Sequence, residues 1–190
     1  MKSFDEYFQA INAATSQIDR EKLEEAFRVI DNSITLYIMG NGGSAAAADH
    51  WVCDYMKGIN QDTDMAANAI SLASNGPLVT AIANDIGYEH IFERQLVYHR
   101  PMLGDAVLAI SASGNSKNIL NGLYRAKKLG IHTIALTGFT GGEAAKMADI
   151  SVHVPSSNYG VVEDCHMMIL HAISQRIRYR DALDRESLKL

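Results

Sequence analysis

Ile34-Thr35-Leu36-Tyr37-Ile38-Met39-Gly40-Asn41-Gly42-Gly43-Ser44-Ala45-Ala46-Ala47-Ala48 is the stretch whose reading decides the fold class. Its first half is an almost unbroken apolar run, as expected of a strand covered on both faces. Its second half turns through glycines into alanines, the best helix formers. Strand, glycine turn and helix in that order open a βαβ unit. Outward from this stretch the pattern repeats. Residues 67–73, 106–111, 132–137 and 150–154 form further short apolar runs, the third and fourth of the five again nearly continuous in aliphatic residues. Helical spacing fills the intervals at 45–56, 77–85, 91–99, 118–129 and 163–178. The alternation predicts a three-layer α/β/α, flavodoxin-like fold: a five-stranded parallel sheet with helices on both faces. Two amphipathic helices, 4–13 and 19–30, precede the first strand. Their apolar faces exceed what a five-stranded sheet can cover, which assigns residues 1–31 to an oligomer interface.

With 190 residues the chain is long enough to bury one sizeable core, and a single domain over 1–190 is expected, with a charged tail from 180 to 190 that frays. The formal charge of −5, without a Lys/Arg block, argues against nucleic acid or an anionic membrane as partner. No apolar run approaches the ~20 residues that cross a bilayer, and Asp5, Glu6 and Asp19 stand where a signal peptide would be basic. Two cysteines, Cys53 and Cys165, make no disulfide framework. A cytoplasmic location is the expectation.

In an open parallel sheet, ligands gather beyond the carboxyl ends of the strands. Two loops there have unusual composition. Gly40-Asn41-Gly42-Gly43-Ser44 lets backbone approach a ligand and leads into a helix N-terminus, whose free N–H groups favour anions. Ser111-Ala112-Ser113-Gly114-Asn115-Ser116 also opens a helix and supplies hydroxyl donors. Either loop alone is equally an ordinary β-to-α turn, where Gly, Ser and Asn abound. Two of them at matching strand ends point to an anion site. Neither carries the Gly-Lys-Ser/Thr ending of a Walker loop, and the dinucleotide fingerprint is absent.

Asn41-Gly42-Gly43-Ser44, His50, Asn84-Asp85 with Gly87, the 111–116 serine run and Leu136-Thr137-Gly138 follow one another in a pattern that resembles the phosphoheptose (sedoheptulose 7-phosphate) isomerase family, whose members carry a sugar-isomerase (SIS) domain. The resemblance spans essentially the whole chain. It implies a homotetramer with active sites shared between subunits, and a sugar phosphate as the small-molecule partner. It also implies that Ser111, Ser113 and Ser116 hold the phosphate, while Asn41, Gly42, Gly43, Asn84 and Asp85 contact the sugar; Ser44 and Ala112 complete the two loops. The product would feed heptose units into cell-surface polysaccharide.

Aldose–ketose isomerisation needs a base, an acid and a group that polarises a carbonyl. His50 and Asp54, four apart, share one helix face, and the last helix offers Glu163, His166 and His171. Two histidines and two carboxylates suit zinc. Taken singly, a histidine on an apolar helix is more often a satisfied core group, and Asp54 beside Lys57 reads equally as a surface ion pair. The resemblance implies zinc at His50, Asp54, Glu163 and His171, with Asp54 as base and His171 as acid; Glu163 is the rival base. Eight residues separate Glu163 from His171, about 12 Å along a straight helix, so they share an ion only if Glu163 lies at the helix start. His166 offers a rival pairing in poor helical phase with His171. Four positions depart from the family: Asp54 replaces a Glu, Glu163 replaces a Gln, and Lys57-Gly58 stands where Gly-Arg is usual. They leave room for two other readings, an isomerase for another chain length, such as an octulose phosphate, or a non-catalytic regulator of the same fold, such as an adaptor that binds a replication initiator.

Overall fold

The computed structural model describes residues 3–187. Helices α1 (Phe4–Ser16) and α2 (Arg20–Asp31) lead into β1 (Leu36–Gly40) and α3 (Gly43–Cys53). A π-helical segment, Asp54–Ile59, and the single turn α4 (Asn60–Asp62) continue α3. Then follow β2 (Ala69–Ser71), α5 (Gly76–Asp85), a 3₁₀ turn at Tyr88–His90, α6 (Ile91–His99), β3 (Ala106–Ser111) and α7 (Lys117–Lys128). The chain ends with β4 (His132–Thr137), α8 (Gly142–Met147), β5 (Ile150–His153) and α9 (Tyr159–Ser187). The expectation of a frayed tail falls partly on 188–190, outside the described residues.

All strand pairs are parallel, in the order β2-β1-β3-β4-β5. That order turns back between β1 and β3, where Leu36 pairs with Ala106 and Gly40 with Ile110. The turning point opens a crevice at the carboxyl ends of these two strands, the usual ligand position of such sheets. It lies between the two loops singled out in the sequence.

Strand residues alternate between two cores, as their period of two requires. Leu36, Ile38, Leu108, Ile110, Ile134 and Leu136 face one core with α2, α3 and α9. Tyr37, Met39, Val107, Ala109 and Ala135 face the other with α5, α6 and α7. The amino-terminal helices divide: α2 buries Ala26, Phe27 and Ile30, while α1 buries Ala14 and leaves Phe4 and Phe8 exposed. Tyr7 fastens α1 to α9 by donating its hydroxyl to Asp164 Oδ2 at 2.5 Å.

Candidate active site

Trp51 fixes how α3 lies against α9. Its indole is fully buried and donates to the Leu170 carbonyl and to Ser174 Oγ, both at 2.8 Å. The residue before it, His50, therefore meets the residue after Leu170, His171. Their Nε2 atoms stand 3.2 Å apart, and Asp54 Oδ2 lies 3.3 Å from the first and 3.2 Å from the second. Asp54 is one turn beyond His50, where α3 passes into its π-helical continuation. Three ligand atoms thus share a triangle in which at most the ring protons separate lone pairs, a geometry that a cation completes. Among the described residues this is the His/Cys/Asp/Glu group able to hold a metal ion. All three side chains are partly open to solvent, between about a third and a half exposed.

Glu163 does not join them. Helix α9 begins at Tyr159, so Glu163 already lies inside it and the two-turn separation from His171 holds. Its carboxylate sits over the first residue of α3 instead: a methyl group at Gly43 would meet both oxygens at 2.7 Å, so any larger residue there would push the carboxylate aside. His166 is buried in the core, with neither ring nitrogen in a well-formed hydrogen bond, and burial lowers its pKa to about 4. A marginal contact with the Thr137 backbone opposes that shift, and His153 adds to it.

At the amino ends of α3, α7 and α9 lies a cavity of about 140 Å³, lined by Asn41, Ser44, Ile110, Ser111, Ala112, Ser113, Ser116, Tyr159 and Glu163. The serine turn is braced from within and from behind. Ser111 Oγ and Ser113 Oγ accept the backbone N–H groups of Gly114 and Asn115 at 3.2 and 3.3 Å. Gly114 has φ +66°, and a methyl group there would strike the Gly141 carbonyl, so the turn closes only with glycine. The loop after β4 holds it: Gly138 N donates to Ala112 O and Ala144 N to Gly114 O, both at 2.9 Å. Ser116 stands at the N-cap of α7 yet its hydroxyl caps nothing. Asn41 and Asn118 exchange amide hydrogen bonds at 2.8 and 2.9 Å, and Tyr88 adds a third at 3.0 Å, which ties the glycine loop to α7.

The expected residues are thus sorted into places. Asn41, Ser44, Ser111, Ala112, Ser113, Ser116 and Glu163 line the cavity. Gly42 borders a neighbouring cavity behind Asn41. Asn84 and Asp85 are exposed at the end of α5, bonded to each other and away from both. Asn118 and Tyr159 escape sequence reasoning. Asn118 looks like any early helix residue, and Tyr159 carries no motif.

A family model described as the SIS domain matches residues 6–138. A probable phosphoheptose isomerase of Thermoplasma volcanium is 38% identical over 173 residues, covering 88% of this chain and 87% of that protein. The chain belongs to the phosphoheptose isomerase family. Structures agree with that membership. The phosphoheptose isomerase of Neisseria gonorrhoeae superposes with a TM-score of 0.82 at 30% identity, over 92% of this chain and 94% of that one. The enzyme from Francisella tularensis gives 0.83 at 27% identity, over 93% and 94%. Phosphoheptose isomerases are phosphosugar isomerases, so the family supplies the reaction class, and the cavity and the triad are where its chemistry is to be sought. Among the described residues no helix is long and apolar enough to cross a membrane.

Proposed function

We propose that this chain interconverts sedoheptulose 7-phosphate and D-glycero-D-manno-heptose 7-phosphate. The observation that carries this reading is the placing of two sites along one pair of helices. Ser44 and Glu163 line the anion cavity, and His50 and His171 follow six and eight residues further along α3 and α9. At 1.5 Å per residue the separation is about 9–12 Å. An extended chain advances roughly 1.3 Å per bond, so the eight bonds from phosphorus to C1 of a heptose 7-phosphate span about 10 Å. With the ester among Ser111, Ser113 and Ser116, the carbonyl end reaches the triad.

In the ketose-to-aldose direction, Asp54 removes a proton from C1 while the C2 carbonyl oxygen gains one from His171. The resulting enediol then loses its O1 proton and is protonated at C2. The residues also fit a zinc ion: ligand atoms of a tetrahedral zinc with bonds of 2.0–2.1 Å lie about 3.3 Å apart, matching the triangle. His50, Asp54 and His171 would hold it; while so held His171 Nε2 would have no proton to give, and the ion would supply Lewis-acid polarisation of a carbonyl oxygen in place of that proton. A regulator of this fold needs the cavity but not the triad, so the triad favours an enzyme. A cytoplasmic homotetramer completes the reading. Phe4 and Phe8 offer apolar surface for assembly, and Asn84 and Asp85, remote from their own cavity, would serve a neighbour's. The test is a screen of five- to eight-carbon ketose and aldose phosphates, with and without added zinc. Turnover confined to seven-carbon substrates is expected; turnover of none of them removes the proposal.

A further inference from the structure

An anion cavity that contains a carboxylate is an electrostatic contradiction. Among the described residues no Lys or Arg lines this one, and Glu163 is its sole ionised side chain. No described residue donates a hydrogen bond to Glu163 or forms an ion pair with it. Its two oxygens lie over Gly43, in the space a side chain at that position would take. That position is the first turn of α3, where the partial positive charge of the helix end offsets a carboxylate. The serines stand instead at the start of α7. Of the helix ends that meet at the cavity, that of α3 is occupied by the protein's own anion and that of α7 is left for a ligand's.

We infer that Glu163 is a specificity filter: its charge keeps free orthophosphate and similar small anions out of the cavity, while its oxygens accept hydroxyl protons of a polyol phosphate. Both ligands meet the same repulsion from Glu163. An ester carrying hydroxyl-bearing carbons recovers the loss by donating to the carboxylate, whose lone pairs have no other partner. Orthophosphate has no such chain to extend over Gly43 and meets the repulsion uncompensated. This inference rests on the proposed phosphosugar specificity and adds the device that separates substrate from the commonest competing anion.

The test is calorimetry on the intact protein with orthophosphate and with sedoheptulose 7-phosphate, comparing wild type, Glu163→Gln and Glu163→Asp. Glu163→Gln removes charge at constant shape and should bind orthophosphate roughly tenfold more tightly, since like charges a few ångströms apart in a partly enclosed site repel strongly. Glu163→Asp keeps the charge but withdraws its oxygens, so orthophosphate should bind within about twofold of wild type while the sugar phosphate weakens by roughly tenfold. Orthophosphate affinity unchanged in Glu163→Gln overturns the filter, as does an equal gain in Glu163→Asp. Wild-type protein that binds no phosphosugar at all would defeat the proposed substrate instead, while the orthophosphate comparison still reports on the charge.

Discussion

The 111–116 turn and the triad around Asp54 are built in opposite ways. The turn is largely buried, closed by glycine against glycine and bonded from behind by the loop that follows β4. The triad stands on the outer flank of α3 and α9, with both imidazoles about half exposed. The first region is organised before any ligand arrives, so binding costs little rearrangement. The second has its donor atoms in register but lacks a wall, and proton transfer at carbon gains from excluding water. The contrast separates a part that holds from a part that reacts. It also fits a site finished by another subunit.

The strongest way to break this division is at His171. His171→Ala should lower turnover of the phosphosugar by about a thousandfold, the range for losing a general acid. Its affinity for the same sugar phosphate should stay within about threefold, because the cavity lies two helical turns away. Steady-state kinetics and calorimetry on one preparation decide the matter. Equal losses in both would mean that holding and reacting are not separate.

Much of this was legible in the sequence, for reasons that differ between the two regions. β3 and β4 fall where continuous aliphatic runs place them, because central parallel strands are buried on both faces. β2 shrinks from the expected 67–73 to Ala69–Ser71, since an edge strand is paired on one side alone. α8 was invisible: six residues are too few to show a helical period. The serine turn is a local motif and reads as one. His50 and Asp54 also announce themselves by spacing, but nothing local joins them to His171. That junction is made by Trp51, whose partners, a carbonyl and a hydroxyl more than a hundred residues away, leave no trace in spacing. Glu163 shows the converse. Its place depends on where α9 starts, and helix boundaries are the least legible feature of a sequence.

His166 sharpens the comparison from the buried core, apart from both regions. It lies under the end of β4 as a buried imidazole whose pKa falls to about 4, chiefly through burial, against about 6.5 when unfolded. The unfolded chain therefore binds the proton first as pH drops. The stability that goes with neutral His166 is complete above pH ~6.5 and is lost progressively down to pH ~4, by about 3 kcal/mol in all. His166→Leu should remove that share of acid sensitivity, and at neutral pH should gain stability by burying no unpartnered nitrogen. Urea midpoints at pH 4.5 and 7.5 measure it. If wild type and variant lose the same stability between these values, the histidine is protonated in the folded state and its surroundings are wetter than its burial implies.

The smallest expected effect is the most discriminating, because it sets two helix caps against each other. Asp19 caps α2 in the ordinary way, accepting N–H bonds from Glu21 and Lys22 at 2.9 and 3.1 Å. Ser116 occupies the same position on α7 and accepts none. Removing a working cap costs about 1 kcal/mol of stability. Asp19→Ala should therefore lower the urea midpoint and leave phosphosugar binding unchanged. Ser116→Ala should do the reverse: stability within about 0.5 kcal/mol of wild type, and affinity lower by about tenfold, the worth of one hydrogen bond to a charged group. Ser116 is partly open to solvent, so water can satisfy a hydroxyl that does not cap, and the fold has little to lose when it is removed. A phosphate oxygen is the acceptor that the proposed ligand would bring to it. Should Ser116→Ala destabilise the fold as Asp19→Ala does while binding is untouched, the turn is a helix start like any other, and the phosphate must be held elsewhere.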